Sequence, residues 1–378
     1  MRILTINYEY PPLGGGGGVA HKVLVDEWKR HHEVTLITTR GKGQRFSEYM
    51  HGIRVYRAPC FRRTASVPEV YSLALFLITP ILWLLWLKIK RKKIDVINAQ
   101  FAIPSGVIGI IAKYLFHVPC IVSIHGGDIY DPSKKVSPHL YWYTRWLVSW
   151  VLSHADRIIA QSHNTAQNAK AYYRFTQEID IVPLPLAPAE PTQSQDDVDA
   201  PAYTFISIGR LVARKGFDYL IDAFARIHAT RPDTTLCIIG RGPQEAELRA
   251  RIVEKNLSSC AWIRTDVDDV LKYQLLRRAS CYVLSSLHEG YGIVLQEAMN
   301  AGLPIVATNN GGQTDFLIHR KNALLCSPKD VDQLARCMQE MIEHPDFQQE
   351  AVARYAETLR SFEPERVARK TIELFSHL

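Results

Sequence analysis

Short runs of β-branched and aliphatic residues recur along this chain with helical patterns between them, and that alternation allows few architectures. ILTIN, VTLIT, IRVYR, DVINA, CIVSIH and RIIAQ come first, and YTFISIG, TTLCIIG, CYVLSS and PIVATN follow. Strand–helix–strand repetition gives parallel sheets covered by helices, because neighbouring parallel strands need a crossover. The two sets are separated by LAPAEPTQSQDDVDAP, Leu186 to Pro201, rich in proline, acids and small polar residues. We therefore expect two doubly wound α/β domains, residues 1–185 and 202–378, joined by a linker at 186–201, with a last helix free to pack back on the first domain. A chain of 378 residues, 47% hydrophobic, is long enough for two cores. Short-period repeats are absent, which excludes solenoids and propellers.

The net charge of +7 raises nucleic acid and anionic membranes as partners, so the location of the charge matters more than its sum. Zinc-finger spacing, RNP-type strands and basic helices with interleaved aromatics are all missing, so no nucleic-acid partner is expected. The densest basic cluster, KIKRKK from Lys88 to Lys93, directly follows the uncharged run VYSLALFLITPILWLLWL, Val70 to Leu87. That run is borderline for a membrane span, with a central Pro80 and the polar Ser72 and Thr79, and a span would cut the strand–helix alternation. A core helix is the plainer reading. Its apolar residues surround the helix instead of forming one stripe, however, and Arg62, Arg63 and KIKRKK flank it. A helix lying in the interface of an anionic leaflet fits both facts. The seven cysteines include no C-x-x-C pair and read as buried free thiols of a reducing compartment. MRILTINYEYPP reads as a first strand and not as a secretion signal.

Ligands of doubly wound folds bind beyond the carboxyl ends of strands, so chemistry is expected in the loops after the β-rich runs. ILTINYEYPPL leads into Gly14–Gly18 and an amphipathic helix. Glycines permit close backbone approach and a helix N-terminus presents N–H groups to an anion, although the spacing is not a P-loop and a mobile loop competes. CIVSI leads into HGGDIY, where His125 at a strand end can turn its ring into a crevice. YTFISIG leads into RLVARKGFDYLIDAF, in which Arg210 and Lys215 suit a diphosphate clamp, against the plainer reading of solvated loop charge.

HEGYGIVLQEAMNAGLP, His288 to Pro304, carries two carboxylates. CYVLSS before it is a strand and Gly302-Leu-Pro304 ends a helix, which puts Glu289 in the loop and Glu297 inside the helix GIVLQEAMNA. Gly290 and Gly292 leave the first-turn N–H groups open to a phosphate oxygen. One carboxylate can then reach a sugar on one side of that phosphate, and the other a ribose diol on the opposite side.

EGYGIVLQEA followed by AGLP resembles the E-x7-E signature of retaining nucleotide-sugar glycosyltransferases of family 4, whose GT-B architecture has two facing Rossmann-like domains with the active site in the cleft between them. The similarity extends along most of the chain, through YPP with the glycine run, HGGD, GRLVxxKG, GRGP and GGQTDF. It departs at IVPLPLAP, where the family commonly has an asparagine–glycine turn, and at AWIRTD, which lacks a glycine. The resemblance implies that Arg210 and Lys215 hold the donor diphosphate, Glu289 the transferred sugar, Glu297 the ribose and His125 the donor sugar's hydroxyl side. Backbone of Gly15, Gly16, Gly290, Tyr291, Gly292, Ile293 and Val294 completes the implied donor site.

The implied reaction is hexosyl transfer from a nucleotide-diphosphate sugar to an acceptor hydroxyl, with retention and with no metal or other cofactor. Same-face attack, with the leaving phosphate oxygen taking the acceptor's proton, is the family's suggested course. A glycosidase also uses two carboxylates but has no diphosphate to hold. The pattern also suits an epimerase of the same fold, a transferase with a soluble acceptor, or a non-catalytic scaffold. HLYWYTRWLVSWVL spaces Trp142, Trp146 and Trp150 four apart on one helical face, which suits core packing or a membrane interface. The expected acceptor is a lipid-linked or membrane-associated glycan in bacterial surface polysaccharide assembly. The expected location is the cytoplasm, peripheral on the inner face of the membrane.

Overall fold

The computed structural model describes residues 1–62, 69–132, 137–188 and 203–378. Arg63 and residues 189–201 of the expected linker lie outside them. The chain divides into two compact units, Met1–Ala187 with Ser361–Leu378, and Pro188–Arg360. The second unit ends at Arg360, short of the expected residue 378, and the last helix, expected to be free to pack back on the first domain, belongs to the first unit. The reason is the C-terminal helix Pro364–Ser376, which buries Val367, Ala368, Thr371 and Phe375 in the first unit, with the Phe375 ring 5.5 Å from that of Trp28.

The first unit contains β1 (Arg2–Asn7), β2 (Glu33–Thr39), β3 (Ser47–Met50), β4 (Ile53–Ala58), β5 (Val96–Gln100), β6 (Cys120–Ile124), β7 (Arg157–Ala160) and β8 (Ile179–Ile181). They form one sheet in the order β3-β4-β2-β1-β5-β6-β7-β8, parallel except for β3 against β4. The chain steps one way from β1 and the other way from β5, so the topological switch lies between those two strands. The helices are α1 (Gly16–Trp28), α2 (Val70–Phe76), α3 (Thr79–Ile89), α4 (Val107–Phe116), α5 (Trp142–His154) and α6 (His163–Tyr172). Right-handed crossovers put α2 to α5 on one face of the sheet and α1 on the other. The cores agree: Phe76, Leu84, Ile108 and Val151 share one cluster, and Leu24, Trp28 and Phe375 another. The expected single helix over 70–87 is two, broken at Leu77–Ile78. Pro80 brings no N–H to the Phe76 carbonyl, and its ring crowds that carbonyl.

The second unit contains β9 (Tyr203–Ile208), β10 (Thr234–Ile239), β11 (Ala261–Arg264), β12 (Cys281–Leu284), β13 (Ile305–Thr308) and β14 (Leu324–Cys326). Among its helices are α7 (Phe217–Thr230), α8 (Glu245–Glu254), α9 (Asp269–Arg278) and α10 (Ile293–Asn300). The all-parallel order β11-β10-β9-β12-β13-β14 is the 3-2-1-4-5-6 arrangement of dinucleotide-binding folds, with its switch between β9 and β12. Phe217, Leu220, Ile221, Phe224 and Ile227 make one buried stripe that fixes α7 on this sheet. All seven cysteines are free and buried.

Candidate active site

The switch of the second unit collects charge. The loop after β9 ends in a 3-10 turn, Ala213–Lys215, that carries Lys215 inward and leaves Arg210 exposed. Gly216 has φ +60°, and a Cβ there would meet the Ser285 carbonyl oxygen at 2.3 Å, so glycine is what lets this loop lie against the end of β12. Lys215 Nζ reaches Glu289 Oε2 at 2.5 Å, Ser286 Oγ donates to the same oxygen at 3.2 Å, and Arg214 Nη1 stands 3.9 Å from Oε1. Burial alone would raise the pKa of Glu289; Lys215 and Arg214 overcome it and hold the carboxyl at about 2. Glu289 is ionised at neutral pH. Burial lowers the pKa of Lys215 and Glu289 offsets part of the fall. The Glu289 N–H donates to Asn310 O at 3.2 Å and its carbonyl accepts from the Gly312 N–H at 2.8 Å, so the GGQTDF loop fixes the backbone from which the carboxylate projects.

Gly292, at φ +96°, begins α10 and has no side chain to cap it, so the N–H groups of Ile293 and Val294 head the positive end of the helix dipole. Tyr291 is buried, with its hydroxyl accepting from Gln296 Nε2 at 3.0 Å, which makes its side chain structural. Glu297 lies within the same helix, and its Oε1 is 2.9 Å from Lys272 Nζ, a residue of α9 that also pairs with Asp269 at 2.9 Å. Burial raises the pKa of Glu297 and Lys272 offsets part of the rise. Lys272, which burial alone would lower, is raised by the two carboxylates and stays charged.

In the first unit the glycine run, the loop after β5 and the loop after β6 meet. A Cβ on Gly17 would lie 3.0 Å from Phe101 Cζ and 3.6 Å from His125 Nδ1. The Gly15 N–H donates to Glu9 Oε2 at 3.2 Å, and Gly16 opens α1. Phe101 is held at φ +75°, a conformation costly for an aromatic residue, with its ring 4.4 Å from His125 and 4.9 Å from Tyr8. Asp128 of HGGD ties two loops together, accepting from the His125 N–H at 2.8 Å and the Ala102 N–H at 2.6 Å.

Both ring nitrogens of His125 meet glutamines, Nε2 at 2.7 Å from Gln100 Oε1 and Nδ1 at 3.1 Å from Gln161 Oε1. Gln100 is oriented by its own Nε2, which donates to Asn98 Oδ1 at 2.5 Å, so its oxygen faces the ring. Burial lowers the imidazole to about 4, which leaves it neutral at pH 7 with a single N–H. That proton belongs on Nε2, and Nδ1 is then a lone pair facing another acceptor. The conflict ends if the Gln161 amide turns, or if a ligand hydroxyl donates to Nδ1. Gln100 is thus a positioning residue. Gln100→Leu should lower kcat/KM by roughly tenfold, the value of one buried hydrogen bond. Gln100→Glu should instead raise the imidazole pKa and add an acid-side limb to the pH–rate profile. Unchanged 15N shifts of His125 in both variants would remove the assignment.

Of the residues expected from the sequence, Lys215 and Glu289 touch, Arg210 shares their loop without reaching inward, and Glu297 is joined by Lys272. His125 and the glycine run are neighbours in the other unit. Arg214 was signalled by its place beside Lys215, whereas Lys272, Gln100 and Gln161 reach their partners from other elements and carry no local signature.

Two family models match this chain, "Glycosyl transferase 4-like domain" over residues 15–185 and "Glycosyl transferases group 1" over 191–358. Glycogen synthase of Mycobacterium tuberculosis is 27% identical over 411 residues, covering 99% of this chain and 94% of that protein. The UDP-Gal:alpha-D-GlcNAc-diphosphoundecaprenol alpha-1,3-galactosyltransferase of Escherichia coli is 25% identical over 65% of each chain. Among solved structures, sucrose-phosphate synthase from Thermosynechococcus elongatus has the same fold, with a TM-score of 0.82 at 20% identity over 100% of this chain and 98% of that one.

Proposed function

We propose that this chain, which belongs to the family 4-type glycosyltransferases and has their GT-B fold, moves a sugar from a nucleotide-diphosphate donor to a hydroxyl of a lipid-linked or membrane-associated glycan, with retention at the anomeric carbon. The observation that carries this reading is the buried Lys215–Glu289 contact at the β9/β12 switch, with Arg210 on the same loop and the N-terminus of α10 beside Glu289. Such a group can hold a diphosphate next to a sugar. The C–O bond to the diphosphate breaks, the acceptor oxygen bonds to the same face of the anomeric carbon, and its proton passes to the departing phosphate oxygen. Arg210, Lys215 and the helix N-terminus neutralise the leaving charge by preorganised electrostatics, with no metal or other cofactor. Glu289 orients the transferred sugar, Glu297 the ribose, and His125 a donor-sugar hydroxyl. Backbone of Gly15, Gly16 and Gly290 to Val294 completes donor binding. The name of the Escherichia coli relative, which specifies a diphosphoundecaprenol-linked acceptor, supports a lipid-linked acceptor. Under the same proposal this chain works at the cytoplasmic face, in surface polysaccharide assembly.

Incubation with a panel of nucleotide sugars in excess chelator tests this directly. One donor should release nucleoside diphosphate, and the sugar first formed in water should keep the donor's anomeric configuration by NMR before mutarotation. Interconversion of donor sugars without nucleotide release would mean an epimerase. Activity lost to chelator and restored by Mg²⁺ would overturn the metal-free leaving-group assignment.

A further inference from the structure

Helices α2 to α5 form the layer on one face of the first sheet, and none of the four contains an aspartate or glutamate. Their charged residues are Lys88, Lys113 and Arg145, and the basic run Lys90–Lys93 begins where α3 ends. Outward from this layer, Leu82, Leu85, Trp86 and Ile89 of α3 are exposed, as are Trp142 and Trp146 of α5. The two tryptophans are 80% and 63% exposed, which removes the core-packing explanation for their spacing; Trp150, by contrast, packs its ring 5.1 Å from His154.

The helices make one continuous band. Lys88 Nζ donates to Leu115 O at 2.7 Å and lies 5.5 Å from the Phe116 ring centroid, which joins α3 to α4. Lys113 Nζ donates to His154 O at 2.9 Å, which joins α4 to α5. The segment Val70–Ile89 is apolar enough and long enough to cross a bilayer, yet Leu84 and Leu87 are buried in the core and Trp83 Nε1 donates to Arg57 O at 3.1 Å. It is tied to the sheet and free only on its outer side.

We propose that the outer surface of α2 to α5 is a peripheral docking face for an anionic bilayer, with Trp142, Trp146, Trp86 and the α3 aliphatics in the interface and Lys90, Arg91, Lys93 and Arg145 against lipid phosphates, whereas Lys113 and Lys92 are paired with Asp156 and Glu33. Tryptophan is favoured at that depth and cations at the headgroup. A second copy of the chain is the poorer occupant, because a two-fold contact sets the cations Lys90, Arg91, Lys93 and Arg145, unpaired among the described residues, against their own copies. The proposal does not depend on the donor chemistry.

Flotation of the full-length protein with vesicles tests it. Vesicles of equal parts phosphatidylcholine and phosphatidylglycerol should bind the protein at low salt, phosphatidylcholine vesicles much less, and alkaline carbonate should release it. Trp142→Ser with Trp146→Ser, and separately the change of Lys90, Arg91, Lys92 and Lys93 to glutamine, should each weaken binding by roughly tenfold or more, with thermal unfolding transitions like the parent's. The basic-residue variant should also lose most of the salt dependence. The inference is overturned if the parent ignores anionic vesicles at low salt, or if either variant binds as tightly as the parent. Resistance to carbonate, or a dimer that the tryptophan substitutions convert to monomer, would overturn it in favour of a span or a second copy.

Discussion

Lys215→Met is expected to destabilise the second unit by about 3 kcal/mol at neutral pH, because breaking one side of a buried ion pair leaves the other charge uncompensated. Arg214, 3.9 Å from Glu289, softens the loss and keeps it at the low end of the range for such pairs. The sign with pH follows from Glu289. Its folded pKa is depressed to about 2 from 4.5, so its contribution is present above about pH 4.5 and lost as pH falls toward 2. The variant loses most of that contribution. Chemical denaturation followed from pH 7 down to pH 3 should therefore show the gap between parent and variant narrowing in acid. A gap that stays constant would mean that Lys215 stabilises through its methylenes and not through its charge.

Glu289→Gln should slow transfer by about a hundredfold at saturating donor, since a charge-assisted contact to the transferred sugar is worth about 1.5–3 kcal/mol and Lys215 is left facing a neutral amide. The glutamine keeps the size of the side chain, so the nucleoside diphosphate should still bind. Steady-state kinetics with the donor that the panel identifies would check this. A kcat within a fewfold of the parent's would leave Glu289 as a structural partner of Lys215 alone.

The parallel cores were legible because buried strands such as Cys120–Ile124 and Cys281–Leu284 are short runs dominated by apolar residues, most of them aliphatic or β-branched. The edges were not: Ser47–Met50 is polar, and Ile179–Ile181 and Leu324–Cys326 are too short for a pattern. The spacing of Glu289 and Glu297 located the loop and helix that carry them, since strand, glycines and helix stop all lie within that segment. Their partners were only half visible. Lys215 announced itself as a loop cation, but Lys272 meets Glu297 from a different helix, and Gln100 meets His125 across neighbouring strands. The last helix, expected to be free to pack back on the first domain, buries Val367 and Phe375 in the first unit. The run from Val70 looked apolar all round because one side packs on the sheet and the other does not.

Whether the second unit holds a diphosphate through Lys215 is settled by calorimetric titration of UDP, GDP, ADP and TDP into the parent protein and into Lys215→Met. At least one nucleoside diphosphate should bind the parent in the presence of chelator, and the variant should bind it roughly tenfold or more weakly, for the loss of a charge-assisted phosphate contact. Equal affinity in both proteins, or no binding of any of the four to the parent, would contradict the donor site described for this unit.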